Sequence, residues 1–336
     1  MMANFKQYNG FKQYDRAFVD TLISPRAGEQ KLGEKIQVVD NLDDMATNTA
    51  RFVLLGIPED IGVRANHGIG GTQTTWLPAL RALLNMQSNA FLQGDEILLL
   101  GAFELEESEG SEIDRLRQQV AALDQLVYPL IERIVAAGKI PVVVGGGHNN
   151  AYGLIRGAAT ALELPINVVN IDAHTDLRPA EGRHSGNGFR YAINEAYLKQ
   201  YRIFGLAENY VHAPLLHEIN AGGHIRAFYF RDLLKSNQTI RENWEAFIDD
   251  LPEPCGLELD LDSLSGVLAS AASPSGFALN DIRRLLLSEK KKFRYLHLCE
   301  GAVELSDGRQ DPLTAKTIAF LISDFIAGQQ NNRAAK

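Results

Sequence analysis

Cysteine is almost missing from this chain: two occur in 336 residues, Cys255 and Cys299. Both fall in stretches expected to be buried strands. One pair in so long a chain is no disulfide framework, so a reducing compartment, the cytoplasm, is expected. Long apolar runs are missing too, and no uninterrupted stretch reaches the ~18 residues of a membrane-spanning helix. The opening MMANFKQYNGFKQYD lacks the positive patch and apolar core of a signal peptide. Positive charge is in deficit. Lys and Arg number 33 against 42 Asp and Glu, a net charge of −9 with a pI of about 5.4. That balance disfavours a nucleic acid or an anionic membrane as partner. The chain also lacks internal repeats, low-complexity tracts and long linkers.

What is present is enough apolar material, 45% of residues, to bury a large core. Residues 1–50 are mixed and polar and are expected to form a helical or irregular extension. Residues 51–330 are expected to form the main domain. There, β-rich runs are expected to be strands at 52–56, 97–101, 140–145, 166–171, 201–205, 226–230, 256–261 and 294–298. Helix-period segments alternate with them near 74–86, 112–137, 149–161, 189–198, 211–219, 240–249, 278–289 and 312–327. Such alternation implies right-handed crossovers and a parallel sheet with helices on both faces. A closed eight-stranded barrel would show the same alternation. In either fold, ligands gather at the C-terminal ends of the strands.

Three strand ends carry unusual chemistry. In NVVNIDAHTDLRP (167–179) an apolar run empties into Asp172, His174 and Asp176, which alternation places on one side. VVVGGGHNN (142–150) sets His148 after a second run, and LELDLDSL (257–264) ends a third with Asp260 and Asp262. GGGHNN lacks the GK[ST] ending of a phosphate loop. Four carboxylates and two imidazoles without thiolate suit a hard or borderline divalent cation. Manganese leads, with iron, nickel and zinc left open. Six ligands exceed one four-coordinate zinc and suit two ions about 3.5 Å apart with shared carboxylates, a pairing that acidifies water for hydrolysis.

GGGH, DAHTD and DLD, in that order and each after a strand, resemble the ureohydrolase superfamily of arginase and agmatinase over roughly residues 50–330. GIPEDIGVRANHGIGG (56–71) and HSGNGFR (184–190) are most similar to its formimidoylglutamase branch. The resemblance implies an arginase-like α/β fold: a three-layer α/β/α sandwich around a mostly parallel eight-stranded sheet. It implies two manganese ions per chain, one on His148, Asp172, Asp176 and Asp260, the other on Asp172, His174, Asp260 and Asp262. Asp176 would pass a proton to the leaving amine, and Glu300 would pair with a cationic amidinium. Ser185 and Asn187 match positions that contact the amino-acid end of the substrate. Arg190, with Arg64 and Asn66 as second candidates, could hold its carboxylates; Arg178 and His184 are weaker candidates. His297 alternates with Tyr295 and Cys299 and is expected inside the protein.

Glu258 stands where the superfamily usually has Ser or Thr, and where the superfamily usually continues to Asp-Pro this chain reads Asp262-Ser263-Leu264-Ser265-Gly266. Phe189 occupies the place of an arginase histidine, which favours the formimidoyl branch. The expected reaction is hydrolysis of the C–N bond of N-formimidoyl-L-glutamate to L-glutamate and formamide, in histidine degradation. The alternatives are another ureohydrolase (agmatinase, arginase or guanidinobutyrase), a non-catalytic arginase-fold protein and, ranked last, a single-zinc deacetylase. The expected partner is a small amidine or guanidine, and relatives of this kind often form homo-oligomers.

Overall fold

Strands buried on both faces need apolar side chains at successive positions, and the central runs of this chain supply them. The computed structural model describes residues 10–105 and 112–334, with side chains described as far as residue 330. Among the described residues nine strands form one sheet: β1 (Phe11–Gln13), β2 (Phe52–Gly56), β3 (Ile97–Phe103), β4 (Ile140–Val144), β5 (Ile166–Ile171), β6 (Leu198–Leu206), β7 (Ile225–Tyr229), β8 (Cys255–Asp260) and β9 (Phe293–Cys299). Their order is β1-β3-β2-β4-β9-β8-β5-β6-β7. All pairs are parallel except β1 with β3. The sheet is open, with β1 and β7 at its edges, so the barrel is excluded.

Alternation along each strand feeds two separate cores. Phe52 and Leu54 pack with Trp76, Leu80, Ile318 and Phe325 on one face. Val53 and Leu55 pack with Val127, Ile131, Leu154 and Ile155 on the other. Helices therefore cover both faces, in three layers. The eight expected helices form as Trp76–Leu84, Ile113–Ala136, Ala151–Leu162, Gly188–Asn194, Ala213–Asn220, Ile240–Ile248, Leu279–Ser288 and Leu313–Ala334. Shorter helices add Arg16–Leu22, Leu32–Lys35, Ile61–Ala65 and Phe230–Lys235. None among the described residues is long and apolar enough to cross a membrane.

The expectation of eight strands is corrected to nine. The extra strand, FKQ, lies in the extension and has no apolar pattern of its own. It exists because the outer edge of β3 offers unpaired backbone groups, and Phe11, Lys12 and Gln13 pair there with Phe103, Ala102 and Gly101. Gly101 makes the close approach possible. Its φ is +146°, and a Cβ there would lie 2.0 Å from the Lys12 carbonyl oxygen.

At the centre, β4, β9, β8 and β5 lie side by side. Their C-terminal ends lead directly into His148, Glu300, Asp260 and Asp172.

Candidate metal centre

A glycine turn presents His148. Gly145 and Gly146 hold φ of +91° and +78°, values that cost an L side chain strain. The Glu59 carboxylate fills the space a side chain would need: a Cβ on Gly146 would come within 2.7 Å of Glu59 Oε1. Glu59 is buried and accepts from the backbone N–H of Gly62 (3.1 Å) and Gly147 (2.8 Å). It also accepts from the side-chain amides of Asn149 (3.2 Å) and Asn150 (2.7 Å). The Glu300 carboxylate accepts the His148 N–H at 2.8 Å. Two acids thus fasten the loop through successive backbone N–H groups.

The acids of the other two motifs are held by their own backbone. Asp172 Oδ1 accepts the N–H of His174 at 2.6 Å, and Asp260 Oδ1 accepts that of Asp262 at 2.9 Å. Each aspartate so caps the turn its strand runs into. Asn170 donates to Asp172 Oδ2 at 2.8 Å. Asp176 and Glu300 sit in the left-handed region, at φ +47° and +62°, strain that the surrounding packing must hold in place.

The six expected ligands converge. His148 Nδ1 lies 3.3 Å from Asp172, 2.8 Å from Asp176 and 3.1 Å from Asp260. His174 Nδ1 lies 3.6 Å from Asp172 and 3.1 Å from Asp262. Their donor atoms form two groups, each compact enough to surround a cation: His148, Asp172, Asp176 and Asp260, and Asp172, His174 and Asp262. Asp172 is common to both. Asp260 belongs to the first group only, whereas the resemblance implies it in both.

Electrostatics show what such a cluster requires. Burial, then the neighbouring Asp262 and Asp172, push Asp260 well above the usual carboxylate range. Burial also raises Asp176. Asp172 is buried as well, yet its bonds to His148 and His174 together hold it below that range. Burial disfavours a charged His174, but Asp172 and Asp262 outweigh it and drive the imidazole up to about 12. Buried acids at this density pull in positive charge. Asp262 Oδ1 is buried with no hydrogen-bond partner among the described residues. An orphaned oxygen inside an oxygen- and nitrogen-rich cage fits divalent cations of the manganese kind.

The cluster floors a cavity of about 510 Å³ lined by Asn66, Asp176, Arg178, Ser185, Tyr210, His212 and Glu300, among others. Burial lifts Glu300 to about 8. Tyr210 stacks on His174, with ring centroids 4.7 Å apart, a contact no sequence pattern announces. Asn66 donates to Ser185 Oγ at 3.3 Å.

Three of the five main substrate candidates, and the weaker candidate His184, do not line this cavity. Arg190 makes two 2.8 Å bonds to Glu218. Arg64 pairs with Asp60 one helical turn away, at 2.8 Å. Asn187 is wholly buried: it accepts from Arg183 (2.9 Å) and from the N–H of His184 (3.1 Å), and donates to the carbonyls of Pro179 and Gly182. Arg178 is the cation that lines the cavity, exposed and without an ion pair or side-chain hydrogen bond among the described residues. His184 accepts the Gly186 N–H on Nδ1 at 3.1 Å and so caps the turn that carries Ser185. Burial and then Arg117 lower its pKa to about 4.

Beneath the ligands lie side chains of β8 and β9. Glu258 takes the Tyr295 hydroxyl at 2.7 Å and meets His297 Nδ1 at 2.6 Å. Burial opposes its charge, but His297 and then His148 hold it down at about 2. Phe189 is buried edge-on to His148 at 5.0 Å and stacks on Tyr201.

Comparison with known proteins places the chain among relatives of one kind. The formimidoylglutamase of Geobacillus sp. (strain WCH70) is 28% identical over 340 residues, covering 97% of this chain and 99% of that protein. That of Geobacillus thermodenitrificans is 31% identical over 328 residues, covering 90% of each. The crystal structure of Trypanosoma cruzi formiminoglutamase with Mn2+ shares the fold at a TM-score of 0.69 and 18% identity, over 89% of this chain and 98% of that one. The model of the Arginase family matches residues 50–321, and the chain belongs to that family.

Proposed function

We propose that this protein is a manganese-dependent hydrolase that cleaves N-formimidoyl-L-glutamate to L-glutamate and formamide. The carrying observation is the polarity of one cavity: carboxylates at its floor, an unpaired arginine at its wall. A substrate cationic at one end and doubly anionic at the other fits that polarity. Agmatine, cationic at both ends, would meet Arg178 with like charge. The relatives named formimidoylglutamase, aligned over nine-tenths or more of this chain, support the same reading.

His148, Asp172, Asp176 and Asp260 would hold one ion, and Asp172, His174 and Asp262 the other. When bound, the pair supplies an acidified water as nucleophile. The chain's own residues do the rest. Glu300 orients the amidinium against the floor. The water oxygen bonds to the amidine carbon, and the bond from that carbon to the glutamate nitrogen breaks. Asp176 takes the proton that the attacking water gives up and hands it to that nitrogen. Arg178 takes a substrate carboxylate, with Ser185 and Asn66 as polar neighbours at the same end. Arg190, Arg64 and Asn187 serve by holding the surrounding loops. Placement in the cytoplasm belongs to the same reading, and both cysteines are buried free thiols.

The test is manganese-loaded protein offered formimidoylglutamate, arginine and agmatine, with products identified. Formamide and glutamate from the first alone are expected; urea from arginine or agmatine, with no formamide, refutes the assignment.

A further inference from the structure

We propose that Glu258 is a positioning residue: it fixes the orientation of His148 and thereby sets how tightly the His148–Asp172–Asp176–Asp260 group holds manganese. The inference rests on the manganese reading above and extends it to a side chain that holds no ion itself.

The topology brings the parts together. β4, β9 and β8 are neighbours, His297 being paired with Val143 on one side and with Glu258 on the other. Glu258 precedes the ligand Asp260 by two residues, so it points the same way one step deeper in the sheet. His148, Glu258, Tyr295 and His297 are all completely buried. A carboxylate in such a place is costly unless donors surround it. Tyr295 donates to Oε1 at 2.7 Å, and His297 Nδ1 lies 2.6 Å from Oε2. His297 Nε2 in turn faces the carbonyl of Gly145, at 3.5 Å, in the turn that presents His148.

The two nitrogens of His148 look in opposite directions. Nδ1 faces the three aspartates. An imidazole that ligates through Nδ1 keeps its proton on Nε2 and needs an acceptor there. Nε2 is buried and has no hydrogen-bond partner of good geometry among the described residues. The carboxylate oxygen facing it is Glu258 Oε2, at 3.5 Å. A carboxylate behind a ligating histidine selects the tautomer, limits rotation of the ring and raises its basicity toward the ion. Where the resemblance leads one to expect a neutral hydroxyl, this chain has an anion together with the two groups that hold it. Cys299 also approaches this set closely enough to form a ligand group of its own. Tyr295 and His297 already occupy the Glu258 oxygens, which leaves the carboxylate an orienting role.

Glu258→Gln keeps the size and removes the charge. Manganese titration followed by electron paramagnetic resonance counts bound ions and distinguishes a coupled pair from a single one. Two ions on the native protein verify the underlying reading, and fewer than two would sink that reading by itself. For folded Glu258→Gln, one ion should bind about 10- to 100-fold more weakly while the other changes little, and the pair signal should give way to that of a lone ion. Both ions binding within twofold of native would overturn the proposal. Tyr295→Phe leaves the carboxylate and the packing and removes one donor. It should weaken the same ion several-fold, and it decides the matter if Glu258→Gln does not fold: unchanged binding in Tyr295→Phe then overturns the proposal.

Discussion

Asp172 stands in both ligand groups, whereas His174 stands in one and is partly exposed. The two should therefore fail differently. Asp172→Ala should lose both ions and reduce kcat by more than about a thousandfold, because the acidified water depends on the pair. His174→Ala should retain one ion per chain. Metal analysis after gel filtration checks both, and equal partial losses would contradict the sharing of Asp172. Arg178 makes a second test at this scale. Arg178→Ala should raise KM for formimidoylglutamate about 10- to 100-fold, the worth of one charge-assisted carboxylate contact, with a smaller change in kcat. Arg178→Lys should recover only part, because lysine lacks the planar fork. The convergence of the six candidate ligands was legible in the sequence because a strand end projects its residues along a known alternation. The arginines were not: three of them lie within or beside the same motifs. Which one reaches the cavity depends on distant partners such as Glu218, and no local spacing encodes those.

Among the elements, the turn at residues 184–187 carries a titratable cap. His184 must stay neutral to accept the Gly186 N–H, and its pKa in the folded chain falls to about 4, against about 6.5 when unfolded. For a base lowered on folding, the stability is fully present above pH 6.5 and is lost as pH falls toward 4. His184→Asn replaces the nitrogen acceptor with an amide oxygen that can cap the turn and cannot titrate, so thermal melts of the variant should fall less than native over that interval. Parallel decline of the two proteins would remove His184 from the account. Eight strands and eight helices could be read from the chain because each buries an apolar run or stripe long enough to show its period. β1 could not: FKQ becomes a strand only by pairing with an edge formed ninety residues later. Phe230, expected to end a strand, instead opens the helix Phe230–Lys235. An aromatic residue serves either element, and the packing decides.

For the molecule as a whole, the manganese reading makes the acids of the candidate metal centre a destabilising load that bound cations would relieve. A ligand present at a hundred times its Kd adds about 2.7 kcal/mol to stability, which for a chain of this size corresponds to roughly 5 °C in Tm. Chelation should lower Tm by about that much and manganese should restore it; calorimetry that finds no difference would show the acids hold together without help. The sheet order has a further consequence, for synthesis. The four strands that carry the site are adjacent in space, but β5 precedes its neighbour β8 in the chain by about 90 residues and β4 precedes its neighbour β9 by about 150. A ribosome that has released only the first half of the protein has made the two flanks of a gap whose occupants do not yet exist. β4 and β5 must wait unpaired along those inner edges until β8 and β9 emerge and slot between them. The growing chain is therefore most exposed to mispairing during this interval.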